Sequence, residues 1–344
     1  MGSGVEHGRV EHGRVLLSRR GLLRAGALIV VAGPLVAACT SQPPPAAPDV
    51  LQPMLDAATT DADRAKAASA AFADNAATLG VIAAVRRQQA GALRTEVDRA
   101  AALTTPPPTP SGSAAPKPTD EGTVTTELLA GLAAAQREAA RLMPTLPRYR
   151  AGLVGSVAAG CASLTEALNS TPITATSSIS APTTSSAPTT ARAGVTTRGL
   201  ADDTATALQQ ALSTEHAALW LYGTASAFVT GSATAEIIAS LGTVQNLRDA
   251  AEHRLSAAGV PPQPAQPAYL VPKPVTNQSS ALAALAIAES DATMAWRSVL
   301  EHTDDAGLRA VALAALTDSA VRQTRWRRLS GQSPASVALP GTAA

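Results

Sequence analysis

The sequence predicts an all-α protein in which 344 residues form two four-helix bundles. The composition is 46% hydrophobic but only 2% aromatic, and most of the apolar share is alanine, the residue with the highest helix propensity. Runs of β-branched and aromatic residues, which are typical of strands, are scarce. Proline- and glycine-rich breaks also divide the chain into segments of helical length, and these segments lie on both sides of a Ser/Thr/Pro-rich stretch.

The N-terminal segment, residues 1–38, has the features of an export signal. Arg19 and Arg20 lie in a basic region that precedes an apolar run over 25–38, and this run ends in small residues. This run is shorter than the roughly 20 apolar residues that a transmembrane helix needs. The stretch SRRGLLR also resembles the twin-arginine signal, which exports proteins already folded. The alternative is a general-secretion signal that carries two adjacent arginines.

The end of this segment, VAAC at residues 36–39, resembles the lipobox of bacterial lipoproteins. The resemblance implies that Cys39 is lipidated after cleavage and anchors the protein to the extracytoplasmic face of the cell membrane. Residues 40–49 would then be a proline-rich tether. Because Cys39 would be modified, Cys161 has no disulfide partner, and we expect it to be a buried small side chain.

The charge balance argues against a nucleic-acid partner. The chain has 27 basic and 26 acidic residues, but residues 1–38 contain five arginines and only two glutamates, so the mature chain is slightly acidic. A nucleic-acid-binding protein needs a basic face. The sequence also contains no phosphate-binding glycine loop, CxxC pair or nucleophile elbow, so we assign no catalytic residue. The expected partners are the membrane, through Cys39, and an envelope protein.

Helix lengths and breaks place one bundle at residues 50–168 and the other at 200–335, with a Ser/Thr/Pro-rich linker at 169–199 that cannot form a core. Glycines, prolines and capping side chains set the expected ends, for example Asp304 and Asp305 before the last helix. The predicted helices are, in order, 49–73, 76–102, 123–143, 148–168, 201–229, 233–257, 279–301 and 305–329.

Each bundle contains one long proline-rich connection between its second and third helices, at 104–119 and at 260–276. A connection of this length can cross the whole bundle, so the helices that it joins would run parallel. In the second bundle, this arrangement of four helices with one long crossover is ferritin-like.

The candidate site lies in the second bundle, which contains every histidine and tryptophan of the mature chain. In the stretch STEHAALWLYG, Glu215 falls in the apolar stripe of the first helix, and no lysine or arginine lies three or four residues away. Glu289 lies in a similar position on the third helix. A buried carboxylate needs a partner, so we expect Glu215 to pair with Arg322, Arg248 or His253 on the other helices.

The expected result is an interhelical polar cluster that holds the bundle together without a cofactor. The residues assigned to this cluster are Glu215, His216, Arg248, Asp249, Glu252, His253, Glu289, Asp318 and Arg322. The alternative is a di-iron or manganese site with ligands Glu215, His253, Glu289 and Asp318, and with oxidase activity. Against this alternative, no Glu-x-x-His motif occurs in the chain. The adjacent pairs Glu215–His216 and Glu252–His253 also point about 100° apart on a helix.

Residues 201–335 resemble the ferritin-like domain of uncharacterised function found in actinobacterial envelope proteins. The resemblance rests on several short motifs: EHAA and YG from Glu215 to Gly223, RD at 248–249, AY at 268–269, the isolated Glu289, and AALTD before Trp326. It implies the fold but no reaction. We therefore expect a non-enzymatic, membrane-anchored envelope lipoprotein with a binding or scaffolding role. The alternatives are the metalloprotein and a small-molecule binder whose site lies between the bundles.

Overall fold

The computed structural model describes residues 48–102, 120–169, 199–271 and 273–343. Within these ranges the protein is helical and contains no strand, so the predicted all-α fold is confirmed. The export signal with Arg19 and Arg20, the lipidation site Cys39 and most of the linker lie outside the described residues. The helices are α1 (Gln52–Ala71), α2 (Ala76–Ala101), α3 (Glu121–Leu142), α4 (Arg148–Asn169), α5 (Asp202–Ser226), α6 (Ser232–Ala257), α7 (Gln278–His302) and α8 (Ala306–Leu329).

Side-chain caps fix where several helices begin. Asp120 accepts a hydrogen bond from the Thr123 backbone N–H at the start of α3. Asn277 and Ser280 form a reciprocal capping box at the start of α7. Asp305 accepts from the Leu308 N–H at 2.6 Å, which starts α8. Because these oxygens satisfy N–H groups that have no partner within the helix, the beginnings of α7 and α8 fall where the sequence predicts them.

Both halves of the chain arrange four helices in the same order of neighbours. In the first half, α1 packs against α2 and α3, and α4 packs against α3 and α2; in the second half, α5 packs against α6 and α7, and α8 against α7 and α6. The two long connections therefore join helices that lie diagonally across a bundle. Such an arrangement suits a connection that passes over the bundle from end to end.

Helix α4 belongs to the core of both bundles, because it also packs against α7 and α8. One continuous apolar cluster contains side chains from both halves, such as Leu132, Val157 and Leu316. The described residues from 48 onwards accordingly form one compact unit. Of the described helices, α4 alone is long and apolar enough to cross a membrane, but 78% of its most apolar window is buried inside the protein.

Polar contacts cross the junction between the two halves. Arg309 of α8 is buried and donates to the backbone oxygen of Leu146 at 2.7 Å. Arg325, also on α8, pairs with Glu166 of α4 at 2.8 Å.

Asp49, the last residue of the predicted tether, accepts two hydrogen bonds from Arg150 of α4. The ordered bundle therefore begins before residue 50.

The segment after α8, residues 330–343, is called the C-terminal tail here, and it lies against the first half of the chain. Gln89 of α2 donates to the Ala338 backbone oxygen at 2.9 Å, and Ser156 of α4 donates to the Pro340 oxygen at 2.7 Å. At Gly160, a Cβ atom would lie 2.1 Å from the Ala338 oxygen. The tail can approach α4 this closely because residue 160 has no side chain.

The first half contains a buried polar cluster that the sequence did not predict. Arg86 donates to Asp61 at 2.8 Å and to Gln89 at 2.7 Å, and its guanidinium contacts the Cys161 sulfur at 3.2 Å. Cys161 is free and fully buried, as predicted, and burial raises the pKa of its thiol to about 11. The thiol is therefore protonated at neutral pH and not nucleophilic.

Candidate functional site

The centre of the candidate site is a buried ion pair between α7 and α8. Arg322 donates from Nε to Oε1 of Glu289 at 2.8 Å and from Nη2 to Oε2 at 2.9 Å. Both side chains are less than 5% exposed. Arg322 also donates to the Ser319 hydroxyl at 3.0 Å. This two-pronged geometry occupies both oxygens of the carboxylate.

Two aromatic residues extend this pair into a chain of hydrogen bonds. The Tyr222 hydroxyl of α5 donates to Oε1 of Glu289 at 2.5 Å. Trp326 Nε1 of α8 donates in turn to the Tyr222 oxygen at 2.8 Å, and the two rings meet edge to face with centroids 5.9 Å apart. Burial raises the pKa of Tyr222, and the Glu289 charge adds to this effect, so the phenol stays a donor.

Glu215 lies beside this chain but is held by a different residue. Trp296 Nε1 of α7 donates to Oε1 of Glu215 at 2.7 Å, whereas Oε2 has no hydrogen-bond partner among the described residues. Burial raises the pKa of Glu215 to about 7, and the Glu289 charge adds to this rise while the Arg322 charge opposes it. Glu215 therefore changes its protonation state near neutral pH.

The two glutamates exchange hydrogen bonds between α5 and α7 in a reciprocal way. On α5, Tyr222 follows Glu215 by two helical turns, and on α7, Trp296 follows Glu289 by the same distance. Tyr222 binds Glu289, and Trp296 binds Glu215. A later residue on α5 thus contacts an earlier residue on α7, which makes the two helices antiparallel. Each glutamate receives its aromatic donor from the opposite helix.

Several residues assigned to the cluster lie elsewhere. Arg248 pairs with its exposed neighbour Asp249, and His253 is exposed on α6. The reason is the orientation of α6, whose buried face consists of other positions, including Ser240, Val244, Leu247, Ala251 and Leu255. Asp318 has an exposed surface on α8 but lies close to the centre. Burial of its carboxyl raises the pKa, the Arg322 charge lowers it and the Glu289 charge raises it further. The expected pairing of Glu215 with Arg322, Arg248 or His253 is therefore corrected, since its hydrogen-bond partner is Trp296.

His216 and Glu252 form a separate, peripheral contact. His216 Nε2 lies 3.7 Å from Oε1 of Glu252, and this nitrogen has no hydrogen bond within the described residues. His216 points away from the Glu215 carboxylate, as the rotation between adjacent helical residues requires. The cluster predicted from the sequence thus divides into a buried centre and a contact at its edge.

The side chains of this centre do not fit a di-iron or manganese site. Across the described ranges, no three His, Cys, Asp or Glu side chains come close enough to hold a metal ion. Glu289 directs both oxygens at Arg322, and His253 and Asp318 are exposed on α6 and α8. A cation such as Arg322 next to these carboxylates also repels a metal ion. We therefore derive no chemistry through a metal.

Sequence reasoning missed Tyr222, Trp296, Trp326 and Ser319. A signal for the first two was present, because an aromatic residue with a polar tip follows each isolated glutamate after seven residues on the same helix face. Buried Tyr and Trp groups need hydrogen-bond partners, and the unpaired glutamates need donors. Trp326 and Ser319 gave no comparable signal.

A comparison with protein families identifies the C-terminal part of the chain. Residues 207–344 match the family described as "Domain of unknown function (DUF4439)". The chain carries a DUF4439 domain. The DUF4439 domain includes most of α5, all of α6 to α8 and the C-terminal tail, so it contains every residue of the buried centre. Its description names no reaction or ligand.

One solved structure that is similar to part of the chain is the crystal structure of a conserved hypothetical protein, rv2844, from Mycobacterium tuberculosis. The two sequences are 35% identical, and the match covers 37% of this chain and 96% of that chain, with a TM-score of 0.36. No protein with a curated description matches the chain.

Proposed function

We propose that the chain is a lipid-anchored envelope protein whose DUF4439 domain has a non-enzymatic binding or scaffolding role. The observation that carries the second part of this proposal is the Glu289–Arg322 pair, in which both carboxylate oxygens accept from one guanidinium. The acid that a metal-dependent enzyme would use as a ligand is thereby committed to joining α7 to α8. Tyr222 and Trp326 bind the same pair and link it to α5.

The proposed location on the extracytoplasmic face of the cell membrane rests on the sequence. The basic residues Arg19 and Arg20, the apolar run after them and Cys39 occur in the order of a lipoprotein signal. A twin-arginine route would export the protein folded. This route suits a chain whose two halves share one core, because the halves could fold together before they cross the membrane.

The proposed ferritin-like arrangement is supported by the order of helix neighbours in the DUF4439 domain. The helices joined by the long connection, α6 and α7, lie diagonally, and α5 and α8 each contact both of them. Ferritin-like bundles often hold two metal ions, so iron or manganese binding with oxidase activity is the alternative function. The observation in its favour is the Glu215 oxygen that has no partner.

Elemental analysis tests the two functions against each other. The full chain, exported through its own signal and purified, would be compared with Glu215→Ala and Glu289→Ala. We expect no stoichiometric iron or manganese in any of the three, and lower stability in Glu289→Ala. About one or two metal equivalents in the wild-type protein, lost in both variants, would instead establish the metalloprotein.

Fatty-acid labelling tests the anchor. In cells fed a labelled fatty acid, the wild-type chain should carry the label and fractionate with the membrane, whereas Cys39→Ser should lose both properties. Cys161→Ser is the matched control, since it removes the other cysteine and should keep the label. Label retained by Cys39→Ser would contradict the proposal.

A further inference from the structure

A narrow groove lies between α5, α7 and the connection from α6 to α7. Tyr269, Leu270, Val271 and Lys273 of this connection, the crossover segment, line the groove. Its volume is about 150 Å³. The groove exists because the facing positions of both helices are small, so the helices leave a gap that the crossover segment covers. The small residues that line it are Ala217, Ala218, Ala283, Ala284 and Ala288.

One wall of the α5–α7 groove is aromatic. The rings of Trp220 on α5 and Tyr269 on the crossover segment have centroids 6.1 Å apart and are inclined by 53°. The Tyr269 hydroxyl accepts a hydrogen bond from the Gln266 N–H at 2.9 Å, which holds the ring in place. Both rings are partly exposed and line the groove. They offer π faces to whatever enters it.

A carboxylate without a counter-ion lies at the level of this wall. The antiparallel register set by Tyr222–Glu289 and Glu215–Trp296 places Asp291 of α7 opposite Trp220 of α5. Within the described residues, no ion pair or hydrogen bond of Asp291 occurs, although its side chain lines the groove. Asp291 is exposed to solvent on one side. Partial burial of its carboxyl raises the pKa, and no neighbouring cation opposes that rise.

The single cation that lines the groove lies towards its other end. Lys273 is exposed and precedes the start of α7, where Ser280 also lines the groove. Asp291 lies about 16 Å further along the helix than Ser280, at 1.5 Å per residue. The Lys273 charge does not act on the Asp291 pKa, so this carboxylate has no counter-ion among the described residues.

We propose that the α5–α7 groove binds a small organic cation, an ammonium group attached to one ring or a short apolar chain, with Asp291 as its counter-ion. The faces of Trp220 and Tyr269 attract such a cation through their π electrons. A cavity of about 150 Å³ holds a single benzene-sized ring. The alanines of α5 and α7 provide the apolar surface that the body of the ligand covers.

The proposed cation site names a class of ligand for the binding role of the DUF4439 domain, and it therefore rests on the proposed function. The groove lies outside the buried polar centre and involves neither Cys39 nor a metal. Failure of the experiment below would therefore leave the fatty-acid and metal measurements unaffected, and the proposals can be overturned separately.

Titration calorimetry of the full chain with three probes of similar size tests the assignment. Benzyltrimethylammonium should bind with a Kd of about 1 mM or tighter and change the fluorescence of Trp220. Benzyl alcohol, which lacks the charge, and benzoate, which reverses it, should bind at least tenfold more weakly. Benzoate binding as tightly as the ammonium probe would overturn the proposal, and so would the absence of binding by all three.

Variants locate the bound cation. Asp291→Asn keeps the shape of the side chain and should weaken benzyltrimethylammonium binding at least tenfold. Asp249→Asn is the matched control, because Asp249 is an exposed acid on α6 that contacts only its neighbour Arg248. Ala284→Leu, which fills the groove, should abolish binding. Unchanged affinity in Asp291→Asn, or an equal loss in Asp249→Asn, would contradict the assignment.

Discussion

At the scale of single residues, Glu215 shows how burial changes the charge of a side chain. In the folded protein its pKa is about 7, against an ordinary value of 4.5. The folded chain thus holds the proton more tightly than the unfolded chain does. The contribution of this proton to the free energy of unfolding is fully present below pH 4.5, and it is lost as the pH rises through 7.

This difference predicts a stability that decreases with pH. Between pH 5 and pH 8, Glu215 should lower the free energy of unfolding by an amount on the order of 3 kcal/mol. Glu215→Gln keeps an acceptor for Trp296 and has no charge, so it should lose this dependence. Urea denaturation of both proteins at the two pH values measures the effect. The same pH slope in both would show that Glu215 stays ionised.

The buried Glu289–Arg322 ion pair leads to a second prediction, about the stability of variants that lack one or both charges. Glu289→Leu or Arg322→Met alone leaves one buried charge without its partner and should cost about 3–5 kcal/mol. The double variant Glu289→Leu/Arg322→Met replaces both charges by apolar groups and should recover a large part of this loss. Chemical denaturation of all four proteins gives the coupling energy. Additive losses would show that the two residues do not stabilise each other.

The sequence could identify the glutamates but not most of their partners. Glu215 and Glu289 stood out because each lies in an apolar stripe without a nearby cation. Their donors, Trp296 and Tyr222, could be noticed as aromatic residues with polar tips on the same helix faces. Which glutamate each of them binds depends on the register between α5 and α7, which no local pattern encodes. The misplaced candidates Arg248 and His253 could have been recognised as lying off the buried face of α6, from the stripe that contains Val244, Leu247 and Ala251.

At the scale of elements, two helical glycines provide a matched test of the C-terminal tail. A Cβ at Gly160 of α4 would lie 2.1 Å from the Ala338 oxygen, whereas a Cβ at Gly91 of α2 would meet nothing within 4 Å. Gly91→Ala should therefore stabilise the protein by about 0.5–1 kcal/mol, since alanine favours a helix. Gly160→Ala should instead destabilise it, because the tail must move.

Thermal unfolding of both variants measures this difference. Limited proteolysis adds a local measurement, because a displaced tail should be cut faster after Arg328 in Gly160→Ala than in Gly91→Ala. Equal stabilisation by both substitutions would mean that the tail does not rest on α4.

The starts of α7 and α8 could be predicted from the sequence because capping side chains set them. Asp305 caps α8 and the Asn277–Ser280 box starts α7, and both were visible as capping residues. The path of the C-terminal tail was not predictable. Its contacts with Gln89 and Ser156 join segments far apart in the chain, and nothing in the composition of residues 330–343 marks them as an element of the core.

At the scale of the whole molecule, the shared core predicts that the two halves unfold together. All three tryptophans, Trp220, Trp296 and Trp326, lie in the second half, so their fluorescence reports on that half and, through Trp296, on the shared core. Circular dichroism at far-ultraviolet wavelengths reports on the helices of both halves. In a urea titration the two signals should give the same midpoint.

A matched variant makes the test sharper. At Gly155 of α4, a Cβ would lie 2.4 Å from Leu300 of α7, so Gly155→Leu should push the halves apart and separate the two midpoints. Distinct midpoints in the wild-type protein would show that the bundles are independent units.

The composition of the chain predicts two bundles joined by a linker. It does not show whether the two bundles pack against each other. The Ser/Thr/Pro-rich residues 169–199 predict a linker whether or not the segments on either side touch. Helix α4 has the explanation in its own sequence, because it is apolar on nearly every face. A helix that is apolar all round belongs inside a protein rather than at the edge of one bundle.

The hydrogen bond from Gln89 to Ala338 cannot form until synthesis of the chain is almost complete. The two residues are 249 positions apart, and ribosomes add about 5–20 residues per second. The Ala338 acceptor is therefore synthesised on the order of ten seconds or more after Gln89. During that interval the first four helices can assemble, but the surface that α8 and the tail later cover is open to chaperones and to other nascent chains.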